Sequence, residues 1–112
     1  MSNAVILANG FPPSRETLTR VLAGSSLFVC ADGGANTARD LGVTPHAIIG
    51  DLDSATTETL AHFIEIPIVR DADTERTDTE KAVEWVFGKG EFEVVTLLGA
   101  SAGRLDHVLG HV

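Results

Sequence analysis

Short apolar runs alternate with helix-like stretches along the whole chain, and that alternation constrains its fold more than any other feature. Apolar runs fall at 4–8 (AVILA), 27–31 (LFVCA), 47–49 (AII), 66–69 (IPIV) and 93–99 (EVVTLLG). They are continuous rather than alternating, as in strands buried on both faces, and parallel neighbours need right-handed helical crossovers between them. The segments between them supply those helices. Ser14 caps a helix over 15–23; a second runs over 35–41 and closes at Gly42 and Pro45; a third begins at Ser54; a fourth is capped by Thr77 or Asp78 and ends at Gly88 and Gly90. A last helical stretch is expected over 104–112. The implied fold is a three-layer α/β/α sandwich around a mainly parallel sheet, and Pro67 marks its strand as an edge or a strand start.

Parallel connection places every strand-to-helix loop at one end of the sheet, where α/β domains bind ligands. The loops here are acidic: ADGG at 31–34, GDLDS at 50–54 and RDADTERTD at 70–78. The topology therefore predicts that Asp32, Asp51, Asp53, Asp71, Asp73, Asp78, Arg104 and Asp106 become neighbours. Alternate positions let Asp51 and Asp53 share a cation or its water, whereas a plain capping role would explain Asp53 or Ser54 but not Asp51. Asp32 reads equally as a helix cap or a ligand group, while Gly33 and Gly34 let a phosphate approach the backbone at a helix start. Arg104 adds a planar fork suited to phosphate oxygens.

With 112 residues, 44% hydrophobic and 21% charged, the chain makes one ordinary globular domain, and no segment reaches the apolar length of a membrane span. A net charge of −8 argues against binding nucleic acid through its backbone, and it makes a divalent cation necessary if a polyphosphate is to bind among these acids. The single cysteine, Cys30, sits inside an apolar run and reads as a core thiol. Neither GxxxxGK[ST] nor GxGxxG occurs. His107 and His111 stand four apart without a metalloprotease glutamate, so a metal role for them is disfavoured. No export signal is recognised, which gives a cytoplasmic expectation. Residues 2–4 (SNA) resemble an expression scar and carry no weight.

ADGG, GDLDS, an acidic loop ending in Thr77-Asp78 before EKA, and G-x-x-x-G-R-L-D-H, in this order, resemble the catalytic domain of thiamin pyrophosphokinase (thiamine diphosphokinase) over residues 5–112. The resemblance implies a Rossmann-like domain that transfers pyrophosphate from ATP to thiamin with Mg²⁺, giving thiamin diphosphate and AMP. It implies catalytic roles for Asp51, Asp53, Asp78 and Arg104, with Asp51, Asp53 and Asp78 on the metal. ATP would meet Asp32, Gly33, Gly34, Asp51, Thr77, Arg104 and Asp106, and thiamin would meet Thr74 and Asp78. The chain departs from the family pattern at Thr74-Glu75, where Gln or Lys followed by Asp or Asn is usual, and at His111, where Asn is expected. The remainder of the family's α/β domain and its β-sandwich thiamin-binding domain lie outside these residues, and a homodimer is expected. Two alternatives stand beside this reading: a haloacid-dehalogenase-type phosphatase using Asp51 and Asp53, and a non-catalytic nucleotide-binding module.

Overall fold

In the computed structural model the described residues are 2–71, 73, 75–99 and the backbone of 107–108. Strands β1 (Asn3–Leu7), β2 (Leu27–Ala31), β3 (Ala47–Gly50), β4 (Ile68–Arg70), β5 (Val94–Leu98) and β6 (His107–Val108) form one sheet in the order β4-β3-β2-β1-β5-β6. All pairings are parallel except β5 with β6, which is antiparallel, with Thr96 opposite Val108 and Leu97 opposite His107.

Four helices connect the parallel strands: α1 (Arg15–Ala23), α2 (Gly34–Leu41), α3 (Thr57–His62) and α4 (Asp78–Gly88). The first three crossovers step one way across the sheet, and the fourth returns over the opposite face to place β5 beside β1. Right-handed crossovers then require α1–α3 on one face and α4 on the other. The strand residues divide accordingly. Val5, Leu7, Phe28, Cys30, Ile48 and Leu98 pack with Leu18, Ala35, Ala38 and Phe63 on the three-helix face. Ala4, Ile6, Val29, Ala31, Ile49, Val95 and Leu97 pack with Ala82 and Val86 on the α4 face. Because both faces are covered, β1 and β2 are buried along almost their whole length, which explains their unbroken apolar sequence. Cys30 is fully buried, and burial pushes its thiol far above its ordinary pKa.

Most expected elements stand within a residue or two of their sequence positions, with three corrections. The helix expected from Ser54 starts at Thr57 instead, because the Thr56 hydroxyl accepts from Thr59 N–H, while the backbone of Ser54 and Ala55 is held by another loop. The helix expected over 104–112 is contradicted at 107–108, where the backbone is a strand; pairing with β5 satisfies an otherwise open sheet edge. The rest of that stretch lies outside the described residues. The strand expected at 66–69 is Ile68–Arg70, and Pro67, just before it, lends its carbonyl to Ile48 N–H, as a proline at the start of an edge strand can.

Candidate active site

The direction of chain crossover reverses between β1 and β5, so the carboxyl ends of these strands open a crevice. A cleft of about 410 Å³ lies there. It is lined by Ala8, Asn9 and Gly99 at the switch point and by Asp32, Asp51, Asp53, Asp73, Arg76, Thr77, Asp78 and Thr79 along its acidic side. This volume is in the range of small-molecule sites.

Asp32, Asp51, Asp53 and Asp78 converge at its floor, each offering a carboxylate oxygen within 4.8 Å of the others. Three separate loops bring them together, and local geometry explains how. Asp32 ends β2 in a left-handed conformation (φ 44°), and Leu52, between the two acids of GDLDS, has φ 66°; among the described residues these are the non-glycine positions with positive φ. Such backbone costs about 1–3 kcal/mol per residue and persists only where its surroundings over-determine it. Here the Asp32 carboxylate supplies the determination: its Oδ1 accepts from Ser54 N–H at 3.1 Å and Ala55 N–H at 3.0 Å. Asn36 of α2 adds two bonds, donating to the Ser54 carbonyl and accepting from Thr56 N–H. The β2–α2 and β3–α3 loops are thus stitched into one surface.

Asp32 is therefore not the cap of α2. The cap position is Gly33, which makes no side-chain bond to the helix, and α2 begins two residues after Asp32, which lines the cleft. Gly34 lies so close to β1 that a Cβ there would fall 2.0 Å from the Leu7 carbonyl oxygen. Gly50 has φ 134°, and a Cβ on it would lie 2.8 Å from Asp78 Oδ1. Both glycines are required by close approach of the protein itself, Gly34 to β1 and Gly50 to Asp78, whereas the sequence suggested room for a phosphate at Gly34.

Asp78 opens α4. Thr77 caps that helix, its hydroxyl accepting from Glu80 N–H while the Glu80 carboxylate accepts from Thr77 N–H. This capping box lowers the Glu80 pKa and leaves the Asp78 side chain to turn across to β3. Its Oδ1 accepts from Asp51 N–H at 3.2 Å, and Lys81 Nζ stands 3.4 Å away. Lys81 is a buried cation on the α4 face of the sheet, and its ammonium also donates to the Asp71 carbonyl at 2.6 Å. Burial, reinforced by the facing carboxyls of Asp78 and Asp53, pushes Asp32 up to about 7, against the opposing pull of the Ser54 and Ala55 amides. Asp51 moves the other way: the Asp53 N–H donates to its Oδ1 and lowers its pKa. Opposed shifts in neighbouring carboxyls mark a site prepared for a cation or for proton transfer.

The expected convergence holds for Asp32, Asp51, Asp53 and Asp78, with Asp73 and Thr77 at the cleft wall. Asp71 is excluded from the cluster; its carboxylate turns to Arg76 instead. Thr74, Arg104, Asp106 and His111 lie outside the described residues, as does the His107 side chain. Four contributors escaped the sequence reading: Asn9, Asn36, Arg76 and Lys81. A signal for Lys81 existed in its spacing, three residues after Asp78 on a helix. Asn36 and Asn9 had none, because their roles depend on contacts across loops.

Fold and site together define a class: a doubly wound α/β domain with an acidic edge beside its switch-point crevice. A sequence model described as thiamin pyrophosphokinase, catalytic domain, matches residues 18–112. Thiamine pyrophosphokinase of Bacillus subtilis (strain 168) is 28% identical over 115 residues, covering the whole of this chain and 53% of that protein. Thiamine pyrophosphokinase 1 of Oryza sativa subsp. japonica is 31% identical over 109 residues, covering 77% of this chain and 41% of the relative. Among solved structures, yeast thiamin pyrophosphokinase superposes with a TM-score of 0.70 at 25% identity, over 76% of this chain and 31% of its own. The Bacillus subtilis enzyme's structure gives 0.75 at 24% identity, over 92% and 49%, a likeness of fold. The chain belongs to the thiamin pyrophosphokinase catalytic-domain family. It spans about half the length of the curated relatives it matches. Membership leaves the phosphatase reading of Asp51 and Asp53 without support.

Proposed function

We propose that this chain forms the ATP-binding, catalytic part of an enzyme that transfers pyrophosphate from ATP to thiamin, giving thiamin diphosphate and AMP. The observation that carries the reading is the four-carboxylate cluster beside the switch-point cleft in a chain of this family. The donor set fits Mg²⁺: every candidate ligand is a hard carboxylate oxygen, and four such groups meet within 4.8 Å of one another. Asp51, Asp53 and Asp78 would hold the ion, which would neutralise phosphate charge.

The protein's own contribution is positioning. Asp32 and Asn36 lock the β3–α3 loop so that Asp51 and Asp53 face the cleft. Asp51 N–H and Lys81 engage one oxygen of Asp78, leaving the other for ligand. Gly33 and Gly34 bring the start of α2 within reach of a phosphate, with Thr77 at the opposite wall. The thiamin hydroxyl attacks the β-phosphorus, the bond from it to the α-phosphate bridging oxygen breaks, AMP leaves with that oxygen, and a carboxylate of the cluster takes the hydroxyl proton. Arg104 and Asp106 are assigned to the nucleotide, and Thr74 with Asp78 to thiamin, on the family's pattern.

We assign residues 1–112 to a single catalytic domain, the thiamin pocket being completed by further parts of the enzyme, within a cytoplasmic homodimer. Half-exposed Phe87 beside Val83 and Leu97 on the α4 face supports an association surface. Among the described residues no helix is long and apolar enough to cross a membrane. Calorimetry with ATP and Mg²⁺, followed by an assay of AMP release with thiamin in a polypeptide that also carries the parts completing the thiamin pocket, tests the reading. Binding without AMP release would leave a nucleotide-binding module, and phospho-aspartate trapping would return the phosphatase.

A further inference from the structure

Arg76 lies in the β4–α4 loop, in the wall of the cleft. Its guanidinium meets three carboxylates. Nη2 donates to Asp71 Oδ2 at 2.6 Å, Nε to Asp73 Oδ2 at 3.0 Å, and Nη1 to Glu84 on α4. Both loop aspartates use their remaining oxygens on the loop itself. Asp71 Oδ1 accepts from Asp73 N–H at 3.1 Å, and Asp73 Oδ1 accepts from Glu75 N–H at 2.9 Å. One planar cation therefore orients two carboxylates, each of which fixes the next turn of backbone, and the Glu84 contact fastens the assembly to α4. The partners differ in direction, which suits the rigid five-donor fork of arginine and no other side chain. Arg76 is about two-thirds buried (side chain 31% exposed), and hydrogen bonds to Glu84 and Asp73 raise its pKa further.

We propose that Arg76 is a positioning residue: it clasps the β4–α4 loop against α4 and so sets the wall of the cleft that Mg-ATP meets at Thr77 and Asp78. This rests on the proposed function for the identity of the ligand. The clasp also pairs Asp71, Asp73 and Glu84 with one cation, so these acids stay with Arg76 while the four-carboxylate cluster faces the ligand. A lysine keeps the charge but offers a point donor, so Arg76→Lys loses the clasp almost as fully as Arg76→Gln.

The test pairs amide hydrogen exchange with binding and kinetics on Arg76→Lys, Arg76→Gln and Glu84→Gln. Expected for both Arg76 variants is a rise of about tenfold in exchange at the Asp73 and Glu75 amides, with β1 and β5 unchanged. The calorimetric Kd and the KM for Mg-ATP rise by about tenfold, while kcat changes less than about threefold. Glu84→Gln, which removes the charge of the helix anchor but keeps an acceptor oxygen, shows a smaller change in the same direction. Unchanged exchange in both Arg76 variants overturns the clasp. Faster exchange with unaltered Kd and KM overturns its role in positioning, and so does full recovery of both by Arg76→Lys. In a wild-type polypeptide that also carries the parts completing the thiamin pocket, Mg-ATP binding without AMP release sinks the proposed reaction alone, because exchange and Kd still decide the clasp; no Mg-ATP binding sinks both.

Discussion

Helices α1 and α2 start in opposite ways on the same edge of the sheet. The first follows the ordinary rule: Ser14 adopts an extended conformation, and its hydroxyl accepts from Thr17 N–H at 3.1 Å. The second has Gly33 at its cap position and makes no side-chain cap bond, and the aspartate that the motif offers for capping is turned away in a left-handed conformation to hold the next loop. Sequences agree with local rules where stability is the only demand, and they break them where a site must be left open. The start of α1 serves stability alone, and on the proposed function the start of α2 is kept free for a ligand.

The largest expected effect that separates the two regions is on turnover. Asp53→Asn lowers AMP release by roughly a thousandfold or more, measured in an active polypeptide that includes these residues, while the thermal midpoint stays within a few degrees. Asp53 is exposed, so little packing depends on it. Normal activity in that variant would remove it from the site. Next comes Gly34→Ala, whose Cβ has nowhere to go beside the Leu7 carbonyl. It should destabilise the fold by about 3 kcal/mol, read by urea denaturation, against about 1 kcal/mol or less for alanine at an ordinary exposed helix position.

A pH experiment sharpens the contrast further. The Asp32 pKa is raised to about 7 from 3.8, so the folded protein binds more protons than the unfolded chain between those values. Without cation, its share of the stability is present below about pH 4 and is lost as pH rises through 7. Asp32→Asn should flatten that slope. Because a cation displaces the same proton, Mg²⁺ should bind more tightly at pH 8 than at pH 6; equal affinity at the two would show that Asp32 does not sense the ion. The smallest effect belongs to α1. Ser14→Ala should cost about 1 kcal/mol and leave Mg²⁺ affinity unchanged, and a change in that affinity would erase the division between the two helix starts.

Much of this fold was legible because its signals are local. Unbroken apolar runs announced strands covered on both faces, and Ser14, Gly42 and the pair Thr77 or Asp78 announced three helix ends, of which pair Thr77 proves to be the cap. The same residues misled where tertiary contacts compete. Ser54 looked like a cap, yet its amide is bound by Asp32, and Thr56 takes the capping task. At 107–108 an expected helix gave way to a strand because β5 offered an edge to pair with.

What the sequence alone determined was the succession of strands and helices from β1 to β5 and the identity of the acidic loops, since both rest on spacing and on neighbours within a few residues. Only the tertiary structure decided which acids meet. Strand order brought Asp32, Asp51, Asp53 and Asp78 within 4.8 Å of one another. That meeting depends on side chains of one loop satisfying the backbone of another, as Asp32 does for Ser54 and Ala55 and Asp78 does for Asp51. Such pairings are chosen by the packing of the whole sheet rather than by any stretch of chain.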